Sequence, residues 1–240
     1  MANDDRSIDL LGAKPLAEAV SAAVKATIDG AGAFLGRICL PAAEEFGLLL
    51  RDQVGAWRKR NALAILAKAE VKLQQLPPAT KRTTHPRFVD LVLRDGSWSD
   101  EDHMQERWAG LLATGCTERG YNDENLILAR YLAQITPAQA RLIDCAVRHA
   151  YSSEARAGYQ SLGKVYLAPD MLHDAIGSHT HRELVLMLDH LSGVGLLAFS
   201  TRAREDGVAE LALTAMAEQL FVRCQGFEGE PDAYFKVHSA

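Results

Sequence analysis

Apolar residues recur at helical spacing through most of the chain, most sharply over Ser99 to Gly115, SDEDHMQERWAGLLATG. Met104, Trp108, Leu111 and Gly115 share one face and Leu112 widens the stripe, which predicts a helix with that face in the core. Ser99 reads as its N-cap, with Asp102 answering three residues on. Asp100, Glu101 and Asp102 place negative charge at the positive end of the helix dipole.

Upstream, Leu16, Val20, Val24 and Ile28 make a narrow apolar stripe on an alanine-rich helix. The glycines of GAGAFLG (Gly30, Gly32, Gly36) lack the GxGxxG spacing of a dinucleotide loop and read as a helix break or a close helix crossing. Pro41 suits a first helical turn, and Phe46, Leu50, Val54, Trp57, Ile65, Ala69, Leu73 and Leu76 keep returning to one side. One long helix to Leu76, bent near Gly55 or Asn61, is expected. Arg58-Lys59-Arg60 is its basic cluster, read as a solvated face. Pro77-Pro78 ends the helix, and PPATKRTTHP reads as a linker.

Pro86 restarts a short helical turn with Phe88, Leu91 and Val92 inward, and Asp95-Gly96 leads into the central helix. A further helix is expected from Asn122, and Thr136-Pro137-Ala138-Gln139 is a capping box opening another. Beyond a short apolar run in Leu162–Pro169 come a helix from Pro169 to Ile176 and one capped by Thr180. LLAFST and VAELALT then form two strands around the charged turn RAREDG. That order is the order of a winged helix-turn-helix, closed by a helix from Ala215 to Cys224, with Phe227 to Ala240 a loosely ordered tail.

The expected fold is therefore mainly α: an N-terminal helical bundle with a long first helix, followed by a winged helix-turn-helix-like α+β subdomain. The expected divisions are 1–40, an Ala/Gly-rich helical segment; 41–150, the helical domain; 160–226, the winged subdomain; and 227–240, the tail. Trp57, Met104, Trp108, Leu111 and Leu112 are the expected structural core.

Composition adds little chemistry. With 48% hydrophobic and 24% charged residues among 240, the chain is an ordinary globular protein, and a net charge of −5 gives no global attraction to nucleic acid or anionic membrane. Cys39, Cys116, Cys145 and Cys224 stand singly, so reduced thiols in the cytoplasm are expected. The acidic start lacks the pattern of a signal peptide, and no apolar run is long enough to span a membrane. His173, His179, His181 and His190 lack metal-ligand spacing. His179 and His181 would be the first candidates were a metal bound. No GxSxG, P-loop or other catalytic pattern is present, so neither a catalytic residue nor a cofactor is assigned.

On the helix after Thr180, Leu184, Met187, Leu188 and Leu191 face inward, leaving Arg182, Val185, Leu186, Asp189 and His190 outward as a candidate interface. One arginine, an aspartate and two aliphatics suit a protein partner better than a phosphate-lined groove. Arg202 and Arg204 on the turn are opposed by Glu205 and Asp206.

Four segments together resemble the abortive-infection alpha family, bacterial domains associated with defence against phage. LPAAEEFGLLLRDQVGAWRKRNALAILAKAEVKL is similar to its long first helix and DEDHMQERWAGLLATG to its tryptophan block. LAQITPAQARLIDCAV is similar to its threonine-proline helix start, and LDHLSGVGLL with LALTAMAEQLFVRCQG to its C-terminal winged segment. Met216-Ala217 stands where the family more usually has a proline-glycine pair. The resemblance implies a role in phage defence and brings no catalytic residues. The expectation is a non-enzymatic sensor or scaffold that acts as a homo-oligomer or on a phage or host protein. The alternatives are a membrane-perturbing effector using Leu16 to Leu40, and a winged-helix regulator; nucleic acid and membrane are the disfavoured partners.

Overall fold

The computed structural model describes residues 29–39, 55–77, 81–120, 122–152, 156–158, 163–198 and 201–238. The alanine-rich helix expected over Leu16–Ile28, and Pro41 to Val54 of the long helix, lie outside the described residues. Residues 29–38 (α1) are helical, followed by α2 (Gly55–Gln75), α3 (Pro86–Gly96), α4 (Asp102–Gly115), α5 (Asp123–Gln134) and α6 (Pro137–Ala150). Then come β1 (Val165–Leu167), α7 (Pro169–Ile176), α8 (His181–Gly193), β2 (Arg202–Ala203), β3 (Ala209–Leu211), α9 (Ala215–Cys224) and α10 (Pro231–His238). The described chain is mainly helical with one small antiparallel sheet, in the order β1-β3-β2.

Helix α4 is the element the others pack around: it touches α2, α3, α5, α6 and α9. Met104, Trp108, Leu111 and Leu112 are all buried, but so are Gln105, Arg107, Ala109, Gly110, Ala113 and Thr114, so burial extends around the whole helix rather than along one stripe. A helix with polar residues inside must satisfy them. Gln105 donates to the Ser99 carbonyl (3.0 Å), Thr114 to the Gly110 carbonyl (2.9 Å), and buried Asn125 of α5 to both the Leu111 carbonyl (2.9 Å) and Thr114 Oγ1 (2.7 Å).

The start of α4 differs from expectation. Glu101 is the N-cap, with no side-chain bond, because the turn Gly96–Ser99 (Ser99 N–H to Gly96 O, 2.9 Å) ends too early for Ser99 to reach the first turn. Asp102 instead pairs with Lys68 of α2 (2.6 Å), and Glu106 one turn on pairs with Lys68 (2.7 Å) and Lys72 (2.9 Å). Trp57, expected in the core, is half-buried against Trp98 (centroids 6.1 Å apart), because Gly55, Asn61, Ala62 and Ile65 take the buried face of α2.

Other starts follow the sequence closely. Asn122 accepts from Asn125 N–H, and Thr136 and Gln139 form both arms of a capping box (3.0 and 3.2 Å). Pro86 opens a full eleven-residue helix rather than a single turn, with Phe88, Leu91 and Val92 buried. GAGAFLG lies within α1 and does not break it, and among the described residues a Cβ on Gly30, Gly32 or Gly36 meets nothing within 4 Å. The C-terminal half of the linker is held, with Thr83 and Thr117 exchanging backbone bonds (2.9 Å each) and Arg82 bonded to the Cys116 carbonyl (3.0 Å) and the Glu228 carboxylate.

The short apolar run before Pro169 is a strand, β1, paired with β3 in the register Val165↔Leu211. Leu197 of LLAFST forms an antiparallel bridge with Leu213, and the hairpin continues through Arg202–Ala203, with Arg202 opposite Glu210 and Gly207 turning the chain at φ +82°, a conformation glycine tolerates without steric cost. Met216 and Ala217 lie in the first turn of α9, where Ala217 N–H donates to the Thr214 cap (3.3 Å). The segment after Phe227 is not a loose tail. It forms α10, whose Tyr234 and Phe235 are buried, Phe235 stacking on Tyr151 (4.4 Å) and Phe221 (5.7 Å). One continuous cluster of buried side chains runs from Ala31 to Phe235.

Gly110 sets the approach of α9. A Cβ there would lie 1.9 Å from the Cys224 carbonyl oxygen, a backbone atom that cannot swing aside. Gly110→Ala is therefore expected to cost about 3 kcal/mol, a fall in Tm of roughly 10 °C. Trp108→Ala should cost about 3 to 5 kcal/mol, whereas Asp102→Ala, which loses one exposed ion pair, should cost about 1 kcal/mol or less. Thermal and urea melts of the three variants check this order.

Candidate functional site

Two places concentrate side chains that packing alone does not require: the outward face of α8, and a polar junction between α4 and α6. Helix α8 is fixed in phase by a second capping box. Glu183 N–H donates to Thr180 Oγ1 (3.2 Å) and Thr180 N–H to the Glu183 carboxylate (2.7 Å). Leu184, Leu188 and Leu191 are consequently buried. Of the outward residues, Arg182 and Asp189 are exposed, Val185 is half-buried, and Leu186 is 59% exposed at the middle of the helix.

His190 is exposed as expected, but its ring is also engaged. Its Nδ1 lies 2.9 Å from Nε2 of Gln139, the buried capping-box glutamine of α6, which also donates to the Met187 carbonyl (3.2 Å). It ties α8 to α6 and is not a free interface residue. Sequence spacing could not reveal this, because the two residues are distant in the chain and meet only through docking.

The hairpin beside α8 has its cations already engaged. Arg202 reaches Glu210 through Nε (2.9 Å) and Nη2 (2.8 Å), and Arg204 pairs with Asp206 (2.9 Å). Glu210 also receives Lys164, and those hydrogen bonds, Lys164 foremost, hold its carboxyl below the usual range. His173, His179 and His181 line a cleft of about 550 Å³ together with Glu205, where His179 Nδ1 meets the Gly177 carbonyl (2.8 Å). Among the described residues no three His, Cys, Asp or Glu side chains are placed to hold a metal ion.

At the second place, Arg107 of α4 is buried and paired with Asp144 of α6, and it donates to the carbonyls of His103 (3.1 Å) and Ala140 (3.4 Å). Burial lowers the Arg107 guanidinium to about 10, which still leaves it charged at neutral pH. His103 lies 3.6 Å from the same carboxylate, and Arg141 bridges Glu101 (2.6 Å) to the Ala175 carbonyl (3.0 Å). Desolvation, then the charges of Arg107 and Arg141, pull the His103 imidazole down to about 4, so it is neutral near pH 7. No local signal marks this junction in the sequence, since Arg107 and Asp144 each read as an ordinary surface charge.

The Cys116, Cys145 and Cys224 thiols are poor nucleophiles. Burial pushes Cys116 and Cys224 up to about 12 and raises Cys145, and all four cysteines are free. Among the described residues no helix is long and apolar enough to cross a membrane.

The arrangement is that of a mainly helical protein whose capped and docked helices leave several large apolar side chains exposed, Leu186 and Trp98 among them. The family model described as abortive infection alpha matches residues 58–220, more than half of the chain, and the chain belongs to that family. The match runs from α2 into α9. No curated protein matches the sequence, and no solved structure matches the fold.

A neutral His103 has a consequence for stability. Its folded pKa of about 4 lies below the unfolded value of about 6.5, so the unfolded chain takes up the proton first. The contribution is full above pH 6.5 and is lost as pH falls toward 4. With solvent screening at this partly exposed ring, the expected loss is about 1 to 2 kcal/mol. Urea midpoints of His103→Gln and wild type between pH 7 and 4 should converge as the pH falls. Parallel curves would refute the assignment.

Proposed function

We propose that the chain is a non-enzymatic interaction protein in the abortive response to phage, and that it acts by self-association through the outward face of α8. Membership of the abortive infection alpha family supports the biological context. The observation that carries the rest is Leu186: a leucine held 59% exposed in the middle of a helix capped at one end and tied to α6 at the other. An aliphatic side chain fixed in water gains by covering, and a two-fold contact lets one residue meet its own copy. The high thiol pKa values of Cys116 and Cys224 support a protein that does no thiol chemistry.

The order β1, α7, α8, β2, β3, with β3 central in the sheet, supports reading 163–213 as a winged helix-turn-helix. It is also the observation behind the second reading, a DNA-binding regulator with α8 in the groove. Against that reading stand the ion pairs of Arg202 and Arg204 and the single arginine on the outward face of α8.

Leu186→Asp should shift sedimentation of the full chain toward monomer and leave the thermal melt within about 0.5 kcal/mol of wild type. A wild-type chain that sediments as monomer at all concentrations would refute self-association. Duplex binding that weakens steeply with salt and is lost with Arg202→Ala and Arg204→Ala would establish the regulator instead.

A further inference from the structure

A second candidate contact site lies where the α3–α4 turn faces the α5–α6 junction. A cleft of about 220 Å³ opens there, walled by Trp98, Asp100, Glu101, Met104, Trp108 and Leu132. We propose that this cleft receives one lysine or arginine side chain of a basic peptide segment on a protein partner. The size excludes a nucleotide or drug-sized ligand, which needs about 300 to 1,000 Å³, but matches one long side chain with its peptide group.

Charge sets the sign of the occupant. Asp95, Asp100 and Glu101 line the cleft and no Lys, Arg or His among the described residues does. Asp95 is held by Arg94 (3.1 Å) and Glu101 by Arg141 (2.6 Å). Asp100 is exposed and makes no hydrogen bond or ion pair among the described residues, so it is the carboxylate left for an incoming cation. Met104 and Leu132 supply the apolar wall that an aliphatic stem covers while its charged end stays at the rim.

The second observation is Trp108. The residue is 1% exposed, forms part of the cleft wall, and its indole Nε1–H has no acceptor among the described residues. A buried N–H without a partner is costly, and a peptide carbonyl oxygen beside the entering side chain is the acceptor that relieves it. Trp98 at the mouth is 56% exposed yet held in place, with Trp57 at 6.1 Å and the Arg58 guanidinium 4.5 Å over its ring. Such a braced, exposed indole gives a partner contact area at little cost in side-chain entropy.

The test uses the full chain with three blocked tripeptides, Ala-Lys-Ala, Ala-norleucine-Ala and Ala-Glu-Ala, titrated by heteronuclear NMR of the indole N–H signals. The lysine peptide should bind in the millimolar range and shift the Trp108 and Trp98 indole signals, and the other two should not. Asp100→Asn should weaken it about tenfold with an unchanged melt, and Trp108→Phe should weaken it while keeping the ring. Equal binding of the lysine and norleucine peptides would overturn the proposal. So would no indole shift at about 10 mM, or full affinity in Asp100→Asn. Should Trp108→Phe fail to fold, Asp100→Asn and the peptide series still decide the matter. Sedimentation of Leu186→Asp reads a different surface, so either proposal can fail alone.

Discussion

Everything in this fold depends on one helix being buried on every side. Beyond its first turn helix α4 leaves only Glu106 partly exposed, so five other helices can be placed only where its surface lets them approach. Gly110 and Gly115 are where they come closest: a Cβ at Gly110 would strike the α9 backbone, and one at Gly115 would lie 2.2 Å from the Phe88 ring of α3. Close-packed interiors do not stretch to admit an extra carbon, so these two positions fix the spacing of both neighbours.

Burying most of a helix forces polar side chains inward, and Gln105, Arg107 and Thr114 have been given partners rather than excluded. Gln105 ties α4 to the turn before it, Arg107 to α6, and Thr114 to Asn125 of α5. Partly buried polar groups of this kind make the docked arrangement specific, because a slipped helix would leave a charge or amide unpaired. His103 shows the other side of the same physics. Partly desolvated and placed among arginines, it is held neutral, and the fold carries a built-in sensitivity to mild acid.

The surfaces left over are where contact with partners is proposed. The cations of the C-terminal hairpin are committed to Glu210 and Asp206, while Leu186 projects from a helix that cannot rotate away. Elsewhere, the α3–α4 turn holds Trp98 beside Asp100, with the other two carboxylates of the cleft already paired. The two surfaces differ in chemistry, one aliphatic and the other acidic and aromatic.

Local chemistry in the sequence determined the start of most helices, because capping boxes, prolines at first turns and glycine stops act within four residues: Thr136 with Gln139, Thr180 with Glu183, and Thr214 before α9 all behave as their spacing says. The tryptophan block and the order of segments likewise determined the family, and helical periodicity placed Trp108, Leu111 and Leu112 in the core. What only the tertiary structure decided depends on residues far apart in the chain. The Lys68 partnership of Asp102, the half-exposure of Trp57, the burial of Arg107 against Asp144, and the His190–Gln139 tie each require two helices to be docked first. The same holds for α10: Tyr234 and Phe235 make a weak local helix signal, and the stack with Tyr151 and Phe221 supplies the burial that orders the segment. Capping and periodicity are short-range and legible in one chain, whereas a buried charge or an aromatic stack is set by a partner the local sequence does not contain.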